Sequence, residues 1–454
     1  MKKTGYFKEF AKYSSLNVLG MTGLSCYILA DTFFISKGLG ADGLTALNLA
    51  IPVYSFINGS GLMIGMGGGT KYSILKSRND GKEANRAFSN AVCLALGISV
   101  IFLVAGLFFS GPLIKTLGAD ESVFQMSKTY LQVILIFAPV FMMNNVLVCF
   151  VRNDGSPQLA MAAMIGGSLS NVVLDYVFIF PLGMGIFGAV LATGLAPVIS
   201  MLILSVFFIR KKNNFRFIRT RLERSLVKSI FSAGMPSLIT EVSSGIVIIV
   251  FNSIMLRLLG NTGVAAYGII ANLSLVVIAV YTGIAQGIQP IISRNYGAGN
   301  VAGVQSTLRY AMFSMLAISV IVYCCMFFGG AGIAGIFNSE GNTLLQAIAE
   351  NGLKLYFLAC PFVGFNIIMS VYFTSVEYAR PAHIISVLRG FIVIIPMAFL
   401  LSSLAGIDGV WYSFPVTELL VAVTGAVLYS SFRSRGRIAG APGLSRRACG
   451  NVNP

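Results

Sequence analysis

The sequence predicts an all-α polytopic membrane protein with twelve transmembrane helices in two homologous six-helix lobes. Three observations predict it. Of the 454 residues, 56% are apolar and only 11% are charged, with a mean hydropathy of +0.82; soluble domains carry about 25% charged residues. A span uses about 20 apolar residues, so this content fills about twelve of them. Finally, a set of short strings recurs in order at an offset of about 220 residues.

The same arithmetic excludes a soluble globular protein, a disordered chain, a collagen-like chain and a receptor with one or two anchors. The net charge of +16 would suggest nucleic acid in a soluble protein. Here the basic residues form short clusters between apolar runs, where they report orientation, and no nucleic-acid partner is expected. The cysteines (Cys26, Cys93, Cys149, Cys324, Cys325, Cys360, Cys449) form no CxxC and lie mostly in apolar runs. They read as small hydrophobes, not as a metal site or disulfide framework. A single histidine, His383, argues against a His-based metal centre.

Turn and charge punctuation places the spans at 13–35, 46–70, 87–110, 125–150, 159–181, 186–209, 230–257, 264–293, 308–330, 353–375, 383–404 and 409–430. Lys2, Lys3, Lys8 and Lys12 precede the first. That start is like a signal peptide's, but no A-x-A-like site follows and the run continues past Asp31, so it reads as a retained helix. With both termini cytoplasmic, 27 of the 32 Lys and Arg fall on the cytoplasmic side, leaving Lys37, Lys115, Lys128, Arg257 and Lys354 outside. This is a positive-inside pattern, and it stays in phase for an even number of spans.

The basic stretch near the midpoint separates an N-lobe (1–210) from a C-lobe (229–432) through a cytoplasmic linker (211–228), with a disordered tail at 433–454. Leu39, Gly40 and Gly43 recur as Leu259, Gly260 and Gly263; Gly67 and Ser73 as Gly287 and Ser293. Pro139 and Asn144 recur as Pro361 and Asn366, Pro157 as Pro381, and Gly185 and Gly188 as Gly406 and Gly409. Two six-span halves insert the same way up, which is a parallel repeat of the kind transporters use.

Four carboxylates fall inside spans: Asp31, Asp175, Glu241 and Glu418. Each is expensive there unless protonated, paired or hydrated. This reading places no Lys or Arg deep in a span to pair with them, which leaves a proton or a bound cation. Asn171 stands four residues before Asp175, on one helix face with Ser168 near. The set suits a proton or a hard cation such as Na⁺, or else a polar helix contact. Asp31, one turn after Tyr27, reads equally as a site or as an interfacial acid beside a belt tyrosine. Glu241 lies deeper. Glu418 follows Pro415 and divides evenly between site and structural group. Arg152, Glu377, Arg380 and His383 read as solvated or snorkelling helix-end groups. Some of the 34 Phe, 17 Tyr and 18 Met can line an adaptable cavity.

Several strings together resemble the multidrug and toxic compound extrusion (MATE) family, in its MepA-like bacterial branch. They include Asp31-x-x-Phe34-Ile35, Leu39-Gly40-Ala41-Asp42, Ala50-Ile51-Pro52 and Gly65-Met66-Gly67-Gly68-Gly69. Arg152-Asn153-Asp154-Gly155-Ser156-Pro157, Asn171-x-x-x-Asp175 and Gly188-Ala189-x-x-Ala192-Thr193 follow in order. The second half adds Gly287-Ile288-Gln289-Pro290, Asn295-Tyr296-Gly297-Ala298-Gly299 and Ala379-Arg380-Pro381. The resemblance spans residues 10–432.

It implies two lobes in an inverted V around a central cavity, in a bacterial plasma membrane. It implies export of amphipathic cationic compounds in exchange for H⁺ or Na⁺ by a monomer that needs no other cofactor. Its cation cluster maps onto Tyr27, Asp31, Asn171, Asp175 and Thr193, with Na⁺ ligation open to Asp31, Asn171, Asp175 and Thr193. Glu241 maps onto a substrate or second cation site, although span 10 offers Asn366 and Tyr372 where that site has an Asp. Many members carry a Pro early in span 1; here the stretch is Ser14-Ser15-Leu16-Asn17.

Beside this antiporter expectation stand a lipid-linked precursor flippase and a non-transporting receptor or scaffold. A flippase calls for cationic residues in the cavity to hold a pyrophosphate. An intramembrane enzyme would need a nucleophile–base or metal constellation, and the chain offers no H-E-x-x-H or G-x-S-x-G string.

Overall fold

A computed structural model of the chain describes residues 3–338 and 342–434. The described residues form helices and short turns, with no strand among them. In order they are α1 (Lys3–Ser77), α2 (Gly81–Phe108), α3 (Ser110–Thr116), α4 (Phe124–Ile136), α5 (Ala138–Asn153), α6 (Pro157–Ile179), α7 (Gly185–Ile209), α8 (Arg224–Gly297), α9 (Val301–Phe337), α10 (Thr343–Tyr356), α11 (Cys360–Ser375), α12 (Ala379–Val387) and α13 (Ile394–Ser434). From residue 435 on, the tail expected to be disordered lies outside the described residues.

The 75 residues of α1 would reach about 110 Å if straight, over twice the thickness of a bilayer. They do not run straight. At Gly40 (φ 66°, ψ −154°) the helix reverses, so that Tyr27 and Tyr54 bring their hydroxyls to 3.4 Å. Helix α8 does the same at Gly260 (φ 61°, ψ −148°), where Phe251 and Tyr267 stack at 5.3 Å. These positive φ values favour a residue without a Cβ, which is why Gly40 and Gly260 hold the repeated position. Helix α13 breaks at Ala405–Gly406. Eight described helices are long and apolar enough to span, or nine with α4 and α5, bent by 46°, as one. Treating each of the three breaks as a turn between two passes divides the nine into twelve.

Other repeated residues fall on matching joints. Pro139 follows the α4–α5 bend and Pro361 follows the short 3₁₀ turn (Phe357–Ala359) before α11. Pro157 opens α6, and Pro381 lies in the first turn of α12. Gly185 and Gly406 both hold positive φ, at 60° and 57°.

Each half has its own apolar core. One is built from residues between Ile35 and Ile230, the other from residues between Phe251 and Phe432, with Phe10 of α1 reaching into the second. The basic linker is docked on the first half. Phe215 is fully buried against Phe88, Phe150, Phe207 and Phe208. Asp154 anchors it by accepting from Asn214 N at 2.7 Å, from Tyr72 at 2.6 Å and from Lys76.

The halves meet along α1 and α8, at the end of the molecule that carries the linker. Glycine sets how closely they meet. A Cβ on Gly234 would lie 1.8 Å from Met63 O, and one on Gly67 would lie 2.0 Å from Ile230 O. On the other side of the seam, a Cβ on Gly287 would lie 2.8 Å from Ser14 Cα and one on Gly283 2.6 Å from Val18 Cα. On the Gly234 side the spacing widens away from the linker. The same construction gives 2.9 Å for Gly59 against Leu238 and 3.7 Å for Gly245 against Ser55. The two halves are clamped at the basic end and diverge toward the other. Small residues allow this backbone approach.

A Val at Gly234 cannot fit the clamped seam, so Gly234→Val should open the basic end. Cys149, buried beside the seam, reports it: its alkylation by N-ethylmaleimide, read by peptide mass spectrometry, should rise several-fold. Unchanged reactivity in a folded variant would refute the clamp.

Candidate functional site

Helices α1, α4, α6 and α7 bring a polar cluster into the first core. Asp31 and Asp175 are both buried, Asp175 completely, and their carboxyl groups lie within hydrogen-bonding reach of each other. Asn171 sits one turn before Asp175 on α6. Its amide, oriented to satisfy both ends, donates to Asp175 Oδ2 at 3.1 Å and accepts from Thr193 N at 3.2 Å. Tyr130 of α4 completes the wall, with its hydroxyl within hydrogen-bonding reach of Thr193. Tyr27 lies one turn before Asp31.

The cluster has more oxygen than hydrogen-bond donors. Asp31 Oδ1, Asp175 Oδ1 and Ser168 Oγ are buried with no partner. Pro197 lies inside α7 and has no N–H to give Thr193 O, which frees a further oxygen. None of the described ion pairs includes Asp31 or Asp175. Two carboxylates in contact within an apolar core repel each other unless a positive charge sits between them. The oxygen set suits a proton or a hard monovalent cation, since such ions prefer oxygen ligands. The structure therefore brings together Tyr27, Asp31, Asn171, Asp175 and Thr193, and adds Tyr130.

Glu241 does not join this pocket. It projects from α8 across the seam and accepts from Asn58 Nδ2 at 3.2 Å; Asn145 donates to Asn58 Oδ1 at 2.8 Å. A Cβ on Gly59 would lie 3.1 Å from Glu241 Cβ, so the missing side chain leaves room for it. The Tyr27–Tyr54 pair lies between the two groups: Tyr27 is near Asp31, and Tyr54 near both Asp31 and Glu241. Glu241 is half-buried and in no described ion pair.

Two readings of the sequence are corrected and one left open, that of Glu418, is decided. Glu418 needs no exchangeable cation, because Arg389 Nε meets its Oε1 at 2.6 Å and Asn366 Nδ2 its Oε2 at 2.7 Å. Arg389 sits on the π-helical turn Leu388–Ile392 between α12 and α13, inside the expected span 383–404. The expectation that no base lies deep in a span fails there. Arg152 is not solvated: it is fully buried at the seam. His383, read as interfacial, is half-buried and its Nε2 bonds Ser232 O at 2.7 Å. That carbonyl is the one Pro236 leaves without a helical donor. Tyr130, Asn58 and Asn145 were missed altogether; their signal was polar or aromatic residues inside apolar runs.

The MatE family model matches residues 18–177 and 236–400. The chain is 24% identical over 436 residues to the multidrug export protein MepA of Staphylococcus saprophyticus, covering 96% of each. It is 25% identical over 441 residues to MepA of Staphylococcus aureus, again at 96% of each. Among solved structures it is similar to an outward-facing multidrug resistance MATE family transporter of the MOP superfamily (TM-score 0.88, 24% identity, 95% of this chain and 96% of that one). It is also similar to a MOP superfamily transporter from Pyrococcus furiosus described as having a binding pocket of reversed polarity (TM-score 0.87, 24% identity, the same coverage).

Two tests follow from the geometry. A cation in the acid pocket stabilises the folded protein by mass action. Raising Na⁺, or lowering pH, should therefore raise the melting temperature of the purified wild type. That gain should be lost in Asp31→Asn and Asp175→Asn; a gain kept by both would sink the site. At the other carboxylate, Arg389→Gln should cost about 3–5 kcal/mol by stranding Glu418, and Arg389→Met with Glu418→Met should recover most of it. A double variant as unstable as the single would show that the ion pair is not the cause.

Proposed function

This chain belongs to the MatE family, and from that premise we propose that it is a secondary multidrug exporter driven by inward movement of H⁺ or Na⁺. The observation that carries the coupling is the Asp31–Asp175 pair, buried, short of donors and without a resident base. The reading places the chain in a bacterial plasma membrane as a monomer with both termini cytoplasmic, because the linker end holds most of the basic residues. The clamped seam is then the cytoplasmic side, and this conformation faces outward. The reading is of a transporter, not an enzyme.

In this state a cation from outside enters the pocket of Asp31, Asn171, Asp175, Thr193 and Tyr27. Glu241, at the seam where the lobes diverge, supplies the negative charge for a cationic amphipathic substrate, and aromatic and Met side chains supply adaptable contact. The ion favours the outward-facing state because its oxygens are gathered there; the drug is released, and the ion leaves when the lobes rock. The two ligands need only opposite preferences for the two states. The path Asp31–Tyr27–Tyr54–Glu241 gives each ligand a means of sensing the other's charge.

The test is ethidium efflux from cells making wild type, Asp31→Asn or Glu241→Gln at matched membrane levels. Efflux should occur in wild type, vanish in Asp31→Asn and fall at least about tenfold for Glu241→Gln, since a desolvated charge pair is worth over a kcal/mol. Imposed pH and Na⁺ gradients in vesicles then separate the ions. Full efflux in Asp31→Asn would refute the coupling site. No efflux in any of them would turn the reading toward a lipid-linked precursor flippase.

A further inference from the structure

Arg152 is the last residue but one of α5 and is fully buried. Its Nη1 donates to Asn17 Oδ1 at 2.8 Å and to Gln286 Oε1 at 2.7 Å, so it bridges the first arm of α1 and the second arm of α8. Its Nη2 lies 3.3 Å from Met66 Sδ and 3.5 Å from Cys149 Sγ, and its Nε has no partner. No described ion pair includes it. The carboxylate nearest in sequence, Asp154, is taken up by Tyr72, Lys76 and Asn214.

Its position in the seam is ordered. On the linker side of it, Asn153 donates to Gln289 at 3.0 Å and Gln289 to Thr70 at 2.8 Å, across the seam. At the rim, ion pairs cross: Lys71 with Glu377 at 2.6 Å and Arg294 with Glu9 at 2.5 Å. On its other side lie the acid pocket and Glu241, all cation-attracting. Every contact Arg152 makes is to a neutral group, and a neutral amide could make the two hydrogen bonds. A full charge held there without a counterion is the costly choice.

We propose that Arg152 is the cation barrier of the closed gate, an unneutralised positive charge that stops H⁺, Na⁺ and cationic substrate from leaking between the acid sites and the basic end. A fixed arginine in a narrow passage excludes cations electrostatically. The barrier is conditional on the gate. When the lobes separate at this end, Asn17 and Gln286 part, Arg152 becomes hydrated and screened, and the coupling ion passes. This rests on the transporter reading, but not on which drug is carried.

The experiment is passive flux in proteoliposomes without drug, at a clamped potential, with H⁺, Na⁺ and Cl⁻ followed separately. The proteins are wild type, Arg152→Lys, Arg152→Gln and Gln286→Glu, the last of which keeps the arginine but neutralises it. Arg152→Gln and Gln286→Glu should raise cation flux by about tenfold or more, leave Cl⁻ flux unchanged, and Arg152→Lys should stay tight. If Arg152→Gln does not insert, Gln286→Glu decides alone. Cation flux at the wild-type level overturns the proposal. So does a leak that admits Cl⁻ equally, which would mean a packing defect. Ethidium exchange by wild type in the same vesicles is read in parallel: its absence, with the cation leak present in the variants, would count against drug export and not against the barrier.

Discussion

A charge that cannot reach water is costly unless an opposite charge or hydrogen bonds offset the cost, and the buried ionic sites described in this molecule differ in how they meet that requirement. In the interior of a helical membrane protein a lone carboxylate costs several kcal/mol. The four intramembrane acids meet the requirement in three different ways. Glu418 carries a built-in counterion, Arg389, with Asn366 filling its second oxygen. Asp31 and Asp175 have each other, which makes the need worse and leaves it to an ion from outside. Glu241 is held by an amide and stays half-exposed between the lobes. The difference between a structural acid and a working one is thus whether the positive charge is covalently part of the chain.

The repeat makes the contrast sharper. Asn144 and Asn366 occupy matching positions and both leave Oδ1 without a partner, but Asn366 Nδ2 serves the Arg389–Glu418 pair. The halves share a backbone plan, in which Gly40 and Gly260 turn alike, but differ in electrostatics. In the second core Glu418 is neutralised by Arg389 of its own lobe, whereas Asp31 and Asp175 in the first core have no described ion pair.

What was legible in the sequence follows from the same physics. The all-helical membrane architecture and the repeated turn glycines could be read because they rest on local causes: apolar length, and glycine where φ must be positive. The acid cluster came partly from the four-residue spacing of Asn171 and Asp175, and for Asp31 and Thr193 from the family resemblance, since no local rule links residues on different helices. Arg389 was lost because an arginine near the start of a span looks like a helix-end group; only the Glu418 carboxylate from α13 shows otherwise. Arg152 was misread for a similar reason. Its string, Arg152-Asn153-Asp154-Gly155, looks like the exposed end of a helix, and it is one, but the other half of the chain covers it. Tyr130 carried no charge to draw attention.

The acid pair also bears on what the exchange can do. On the proposed exchange, two carboxylates in contact would keep one positive charge between them, so the pocket would exchange one charge more readily than two. A membrane potential of 100 mV is worth about 2.3 kcal/mol per elementary charge crossing it. If one H⁺ or Na⁺ enters as one singly charged drug leaves, the potential acts equally on both and cancels. The ion's concentration gradient alone then drives export, at about 1.4 kcal/mol per tenfold. For a neutral or zwitterionic substrate the potential no longer cancels and adds to the drive. On the proposed reading, a single acid at Glu241 would favour substrates with one positive charge, the class whose export leaves the membrane potential undisturbed.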